Sequence, residues 1–266
     1  LDLRQRAGVG VLTGLVGNVA IPKQTDETQG YWIDKEGGSA QKTNPTFAQI
    51  VATPKSCGAY VDITRQALIQ SSLDLQMLVQ SDLLYALAYK IEQAAFNGSG
   101  TGGEPKGVIS QIAAASTVDF GGAPTYDKVV AMMAAARKAN TYNPSFRFIG
   151  DTDVWNRLAT TRDYQEIKNG SEVVAAVGGQ RRILDIETDM VIGREFIESH
   201  LMPTNKMSFG DFSQMMIGLW SGTDITVDRN SLSTSGAIRI VALQDVDVIV
   251  RRAESFAPAN KVVTNS

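Results

Sequence analysis

The sequence predicts an α+β fold, and three observations carry that prediction. A long run of helical period lies between residues 74 and 96. A long alternating run, Ile238 to Val250, lies near the other end. Shorter strand and helix runs separated by turn formers fill the space between them. Helices and strands that are segregated along a chain, not strictly alternating, read as α+β. The 266 residues suffice for one large domain or two smaller ones. At 43% hydrophobic and 20% charged, the composition supports an ordinary packed core.

Residues 1–20 interleave Gly8, Gly10, Gly14 and Gly17 with Val9, Val11, Val16 and Val19, without helical period. This reads as an extended arm lying against another surface, because glycine lets backbones approach closely. Residues 22–46 are polar and rich in turn formers. Phe47–Thr53 and Ala59–Thr64 read as strands separated by Pro54–Gly58, so that residues 22–63 form a long β-hairpin with a wide polar tip. A loop of that length is usually functional or disordered, and Tyr31 and Trp32 near its tip argue for function.

In the 74–96 helix, Met77, Leu84, Leu87, Ile91, Ala94 and Ala95 share a face. Ser71 and Asp74 have capping-box spacing, and Gly98 ends the run. At 1.5 Å per residue the helix is about 35 Å long, a structural spine. Asn97–Gly107 is a glycine-rich loop. Residues 125–139 read as a helix with Tyr126, Val129, Val130, Met133 and Ala136 on one face, and Phe146–Ile149 as a short strand. Asp151 caps a helix containing Val154, Trp155 and Leu158. Residues 162–180 are polar and glycine-rich with a short apolar run at Val173–Val177. Residues 190–197 and 214–220 read as strands. Ile225–Asp228, the turn-rich Asn230–Gly236 and Ile238–Val250 complete a β-rich last third.

The residues for catalysis are scarce. His200 is the only histidine and Cys57 the only cysteine, which excludes an internal disulfide and the usual His/Cys metal sites. A lone cysteine fits folding in a reducing cytoplasm. Any Ser–His–Asp arrangement would have to use His200. Gly98–Gly103 matches G-x-G-x-x-G, but the dinucleotide motif needs a strand before it and a helix after it. Here a helix precedes, and Pro105 and Gly107 follow. The acidic pairs Asp151/Asp153, Asp224/Asp228 and Asp245/Asp247 could serve acid–base or metal chemistry. Asp151 reads better as a helix cap, and Asp245 and Asp247 share one face of a strand, expected to be the solvated one. No catalytic, cofactor or metal residue is expected. The net charge is −3 and the basic residues are dispersed, Arg181-Arg182 and Arg251-Arg252 being only pairs, which excludes a dedicated nucleic-acid surface. No apolar run is long enough for a transmembrane helix, and Leu1–Arg6 lacks the plan of a signal peptide.

The order of these elements resembles the major capsid proteins of tailed bacteriophages with the Hong-Kong-97-type fold, over nearly the whole chain. The carriers are the glycine-rich arm, the long hairpin and the Ser71–Asn97 spine helix ending in Ala95-Phe96-Asn97-Gly98-Ser99-Gly100. Glu104-Pro105-Lys106-Gly107-Val108-Ile109, Met202-Pro203, Phe209-Gly210-Asp211-Phe212-Ser213 and the last long strand with Arg251 and Arg252 follow in order. The resemblance implies an N-terminal arm (1–20), an extended loop reaching a neighbouring subunit (21–63), a peripheral domain (64–100 and 221–253) and an axial domain (101–220 and 254–266). It implies a structural, non-enzymatic subunit that assembles into homo-pentamers and homo-hexamers of an icosahedral head. The head would enclose double-stranded DNA without sequence-specific binding and without a membrane. Tyr31, Trp32, Lys35, Lys42, Phe47, Arg251 and Arg252 are the expected intersubunit contacts.

Implied partners are a decoration protein, a portal and a maturation protease, and the implied location is the virion capsid, assembled in the bacterial host cytoplasm. The absence of an initiator Met fits removal of an upstream scaffolding segment. One branch of the family crosslinks a loop Lys to a strand Asn with help from a Glu. Lys23, Lys35, Lys42 and Lys55 are available, but the strand positions fall near Gly236 and Leu243, with Asn230 and Asn260 as substitutes. A non-crosslinked shell is therefore expected. The alternatives are a cellular nanocompartment shell of the same fold and, in a different class, a small hydrolase.

Overall fold

A computed structural model describes residues 2–24, 32, 47–70, 74–112, 116–138, 145–169 and 172–262. It opens with a short helix, α1 (Asp2–Ala7), where an extended arm was expected. Gly8, at φ +77°, ends it. The Val9 amide donates to the Arg4 carbonyl (3.0 Å) and the Gly8 amide to that of Gln5 (3.2 Å), the paired bonds of a Schellman cap. So short a helix is stabilised by tertiary packing and leaves no period in the sequence. Strand β1 (Gly10–Leu12) then pairs in parallel with β13 (Met215–Leu219).

The hairpin forms between β2 (Val19–Gln24) and β3 (Phe47–Ala52), in register from Val19↔Ala52 to Gln24↔Phe47. Its expected tip lies outside the described residues except for Trp32. The expected second strand of the hairpin belongs elsewhere. β4 (Lys55–Ile63) pairs antiparallel with β15 (Ile238–Val250), from Lys55↔Val246 to Ile63↔Ile238. β4 alternates in exposure along its length, so its inner face needs a core that a two-stranded ribbon cannot supply.

A five-stranded sheet results: β1 pairs with β13, β13 and β14 (Asp224–Asp228) pair with successive stretches of β15, Val246–Val250 and Arg239–Leu243, and β4 lies on the other side of β15. After α2 (Arg65–Gln70), the spine helix α3 (Asp74–Asn97) packs on it. Leu83 and Leu87 meet Ile63, Ile240 and Ala242, and Ala95 and Phe96 enter a second cluster at the base of the sheet. Met77 and Leu84, expected on the core face, are instead 68% and 40% exposed. The buried stripe runs Leu83, Leu87, Ala94, and Met77 and Leu84 belong to a second apolar stripe beside it. Ser71 lies outside the described residues. The helix ends where the backbone of its own loop touches it. A Cβ on Gly98 would sit 2.1 Å from the Pro105 carbonyl oxygen, and one on Gly107 2.4 Å from the Gly98 amide nitrogen.

The larger sheet has seven strands. Its order is β5 (Val118–Asp119), β16 (Phe256–Asn260), β12 (Met207–Asp211), β6 (Phe146–Gly150), β11 (Arg194–Glu198), β10 (Met190–Val191) and β9 (Leu184–Asp185). Between α3 and this sheet the chain makes a one-turn helix, α4 (Val108–Gln111). Helices α5 (Tyr126–Arg137) and α6 (Thr152–Thr160) cover one face of the sheet, and α1, the end of α3 and β13 cover the other. Adjacent residues of β6 therefore serve opposite cores: Phe148 joins the first and Ile149 the second. Phe209 packs between Phe146 and Phe148, with ring centroids 5.2 and 4.5 Å away. Thr125 caps α5 and Asp151 caps α6, the latter accepting from the Thr152 amide at 2.8 Å. The polar stretch 162–180 forms an antiparallel ribbon of its own, β7 (Arg162–Asn169) with β8 (Glu172–Arg182).

Candidate intersubunit surface

The spine helix is the clearest source of unburied apolar surface. Met77, Leu78, Leu84, Tyr85 and Tyr89 all stand exposed along α3, and the two tyrosine rings lie 6.5 Å apart. Nearby, an open groove of about 530 Å³ has Leu84, Tyr85, Ala88 and Leu201 on its apolar side and Arg6, Glu198 and His200 on its polar side. Further apolar exposure lies at Val51 on the hairpin, Tyr60 on β4, Ile69 on α2 and Leu243 on β15. Singly exposed apolar residues are ordinary, but five on one helix are a patch that calls for a partner.

The expected contact residues divide into three groups. Trp32 is 99% exposed. Tyr31, Lys35 and Lys42 lie outside the described residues, and of Phe47 only the backbone is described, opposite Gln24 in the hairpin. Arg251 and Arg252 follow β15 directly. The Arg251 side chain is exposed while its amide donates to the Gln214 carbonyl at 2.9 Å, and Arg252 leads into the short 3-10 turn Ala253–Ser255. The structure thus places Trp32 and Arg251 at the surface and adds the α3 stripe, which the sequence reading missed. Its signal was present: apolar residues occupy more than one face of the 74–96 run, more than a single core contact consumes.

Charges across this region are paired. Arg239 makes a bidentate bridge to Asp62 (2.7 and 2.8 Å) while lying over the Tyr60 ring, 4.6 Å from its centroid. The hydrogen bonds from Arg239 hold the Asp62 carboxyl below its ordinary value and raise the guanidinium above its own. Asp247, expected on a solvated face, is buried. It accepts from the Thr53 amide (2.9 Å) and from Lys55 Nζ (3.4 Å), tying the start of β4 to β15. The two carboxylates share a face, but that face is not solvated at Asp247, because β15 leaves the solvated part of the sheet at Val246 and every residue from there to Val250 is buried. Lys23 pairs with Glu254 at 3.3 Å.

The residues weighed for chemistry take structural parts. His200 Nδ1 lies 3.3 Å from Thr152 Oγ1, which is 2.5 Å from Glu198 Oε1. A threonine hydroxyl has one proton, and at that spacing it goes to the carboxylate, so the histidine contact requires a proton on Nδ1. The loop after α3 is closed on itself: Glu104 accepts from the Ser99 amide (3.0 Å) and hydroxyl (2.8 Å), which lowers its carboxyl below the ordinary value. Burial raises the Cys57 thiol, partly offset by Lys90. Among the described residues no group of three or more His, Cys, Asp or Glu side chains could hold a metal ion, and no helix is long and apolar enough to cross a membrane.

Comparison with known proteins agrees with this architecture. The model of the phage capsid family matches residues 1–261. The major capsid protein of Halomonas phage phiHAP-1 is 31% identical over 258 residues, covering 96% of this chain. The chain spans 40% of the length of that curated relative. Among solved structures, the capsid of a native GTA particle aligns with a TM-score of 0.73 at 12% identity, over 97% of this chain and 89% of that one. A structure from Microbacterium phage Oxtober96 aligns at 0.72 and 14% identity, over 97% and 90%. One from Mycobacterium phage Bobi aligns at 0.72 and 12%, over 98% and 90%. At such identities these structures speak for the fold, and the family match extends it to lineage: the chain belongs to the phage capsid family.

Proposed function

We propose that this chain is the major subunit of a tailed-phage head, assembling with itself into pentamers and hexamers that close an icosahedral shell around double-stranded DNA. The observation that carries the reading is the apolar stripe Met77, Leu78, Leu84, Tyr85 and Tyr89, left open on the principal helix of a capsid-family chain. A shell spreads its stability over many repeated contacts, and such a stripe is the surface those contacts consume. The net charge of −3 suits a wall that confines DNA without gripping it.

The parts follow the family's plan: an arm at 1–20, an extended loop at 21–63, a peripheral domain at 64–100 and 221–253, and an axial domain at 101–220 and 254–266. β4, within the loop's range, and β13, within the axial range, share the sheet of β14 and β15, which moves both strands to the peripheral part. Tyr31, Trp32, Lys35, Lys42, Phe47, Arg251 and Arg252 contact neighbouring subunits. The head is built in the bacterial cytoplasm with a portal, a maturation protease and a decoration protein as partners. It carries no covalent crosslinks: Lys23 is engaged by Glu254 and Lys55 by Asp247, while Gly236 and Leu243 offer neither an amide side chain nor a carboxylate.

Light scattering with negative-stain imaging of the purified chain tests the proposal. Capsomers or closed shells are expected, and a species with the mass of a single chain under all assembly conditions would overturn it. Boiling the particles in detergent tests the crosslinking part, where single-chain bands are expected and ladders would count against it.

A further inference from the structure

We propose that Asp247 is a positioning residue for the β2–β3 hairpin: it fixes the direction in which that ribbon leaves the body of the chain. Among the described residues the ribbon pairs with itself and belongs to neither larger sheet. A two-stranded ribbon has no core of its own to orient it, so its direction is set where its strands meet the body.

On the β3 side, the chain passes at this root from one sheet into another. The ladder between β4 and β15 ends at Lys55↔Val246. The next residue along β15 is Asp247, only 7% exposed. Its side chain continues the pairing that the backbone has left. Oδ2 accepts from the Thr53 amide at 2.9 Å. Oδ1 accepts from the Val248 amide at 2.9 Å and from Lys55 Nζ at 3.4 Å. Pro54, between the two residues so held, fixes its own φ and keeps Thr53 extended. Ala52, the last residue of β3, is itself buried. The step from β3 to β4 therefore has few soft torsions, and a carboxylate clamps it from both sides of the proline.

On the β2 side, the Leu15 amide donates to the Leu219 carbonyl at 3.3 Å and Trp220 Nε1 to the Gly17 carbonyl. Leu219 stands opposite Val246, one residue from Asp247, so the two roots meet the body at one place. Lys23 and Glu254 add an outer tie that solvent weakens.

A buried carboxylate carries a desolvation penalty even when paired, and an apolar side chain between Val246 and Val248 would carry none. What the carboxylate provides instead is a directed hold on the ribbon. Each strand of the ribbon has six residues. At about 3.3 Å per residue it reaches about 20 Å, so a tilt of about 10° at the root carries its far end about 3.5 Å away. Close-packed contacts do not absorb a displacement of that size. The inference deepens the reading of the hairpin as an intersubunit element and rests on it for the use of the aim; the aim itself belongs to the single chain.

Spin-label distances in the unassembled chain test it. In a Cys57→Ser background, Gln49→Cys on β3 and Asn156→Cys on α6, both at exposed positions, carry the labels. One narrow distance distribution is expected. Asp247→Asn, which keeps the shape and removes the charge, should roughly double its width, and Lys55→Met, which removes one arm of the clamp, should broaden it less. The thermal midpoint is read on the same samples. An unchanged distribution in Asp247→Asn, whether or not its midpoint falls, leaves Asp247 a merely structural residue and overturns the proposal; so does a broad distribution in the parent. If Asp247→Asn does not fold, Lys55→Met decides alone: broadening supports the aim, and the parent's width overturns it. Light scattering reads assembly separately, so failure of the shell reading and failure of the aim are distinguishable.

Discussion

Around the seven-stranded sheet both faces are covered, and Phe120, Phe146, Phe148, Phe196 and Phe209 are all essentially inaccessible. Around the five-stranded sheet the buried cluster is small: Ile63, Leu83, Leu87, Ile240 and Ala242 make most of it, while the outer stripe of α3, Tyr60 and Leu243 remain open. Strand β15 passes through both settings. From Ile240 to Val246 it alternates between buried and more accessible residues; from Val246 to Val250 all are buried. One strand thus shows that the difference lies in what covers the sheet and not in the strand's composition. The first region is finished within the chain. The second has its inner face built and its outer stripe left open.

The largest effect that would test this comparison is at Phe209. Phe209→Ala opens a hole between Phe146 and Phe148 that the rigid sheet cannot fill, and should cost about 3–5 kcal/mol in chemical unfolding. A loss under about 1 kcal/mol would show that the first region is not the self-sufficient core described. Gly107→Ala comes next. Its new methyl meets backbone atoms of Gly98, Ala94 and Asn97, none of which can rotate away, so the end of α3 must shift, at a cost of about 1–3 kcal/mol. The thermal midpoint of the isolated chain reads it.

The two regions were not equally legible in the sequence. The bounds of α3 and β15 and the Asp151 cap follow from period, alternation and side-chain chemistry, which are local signals. α1 and the β7–β8 ribbon escaped because one is too short to show a period and the other has a polar, glycine-rich sequence that carries little strand signal. The partner of β4 was misjudged for a different reason. Nearness along the chain favoured β3, whereas the pairing with β15 spans most of the chain length and is decided by where an amphipathic strand finds a core. The candidate surface was half legible: aromatic residues in a polar loop marked Trp32, but separating the second apolar stripe of α3 from the first requires knowing which stripe the sheet covers.

On that outer stripe, Leu78→Ser with Tyr85→Ser should leave the stability of the isolated chain within about 0.5 kcal/mol, since both side chains are mostly in solvent already. The same pair should lower assembly markedly, seen as a loss of high-mass scattering at a fixed protein concentration. Equal loss of chain stability would instead mean that the stripe packs within its own chain, and the contrast between the two regions would fail.

The smallest expected effect is at Glu104, in the loop that locks the end of α3. Its carboxylate accepts from the Ser99 amide and hydroxyl, and those bonds hold its pKa below the ordinary 4.5. A carboxyl lowered in the folded state binds fewer protons there than in the unfolded chain, so stability rises with pH through that range. The contribution is complete above the unfolded value and fades as pH falls through the folded one. Because the group is partly solvated, the effect is a slight extra fall in thermal midpoint on acidification, not acid unfolding. Glu104→Gln removes the titrating group, so the variant should start lower at neutral pH and draw closer to the parent as pH falls. If the two midpoints stay parallel down to pH 3, Glu104 closes the loop by shape and not by charge.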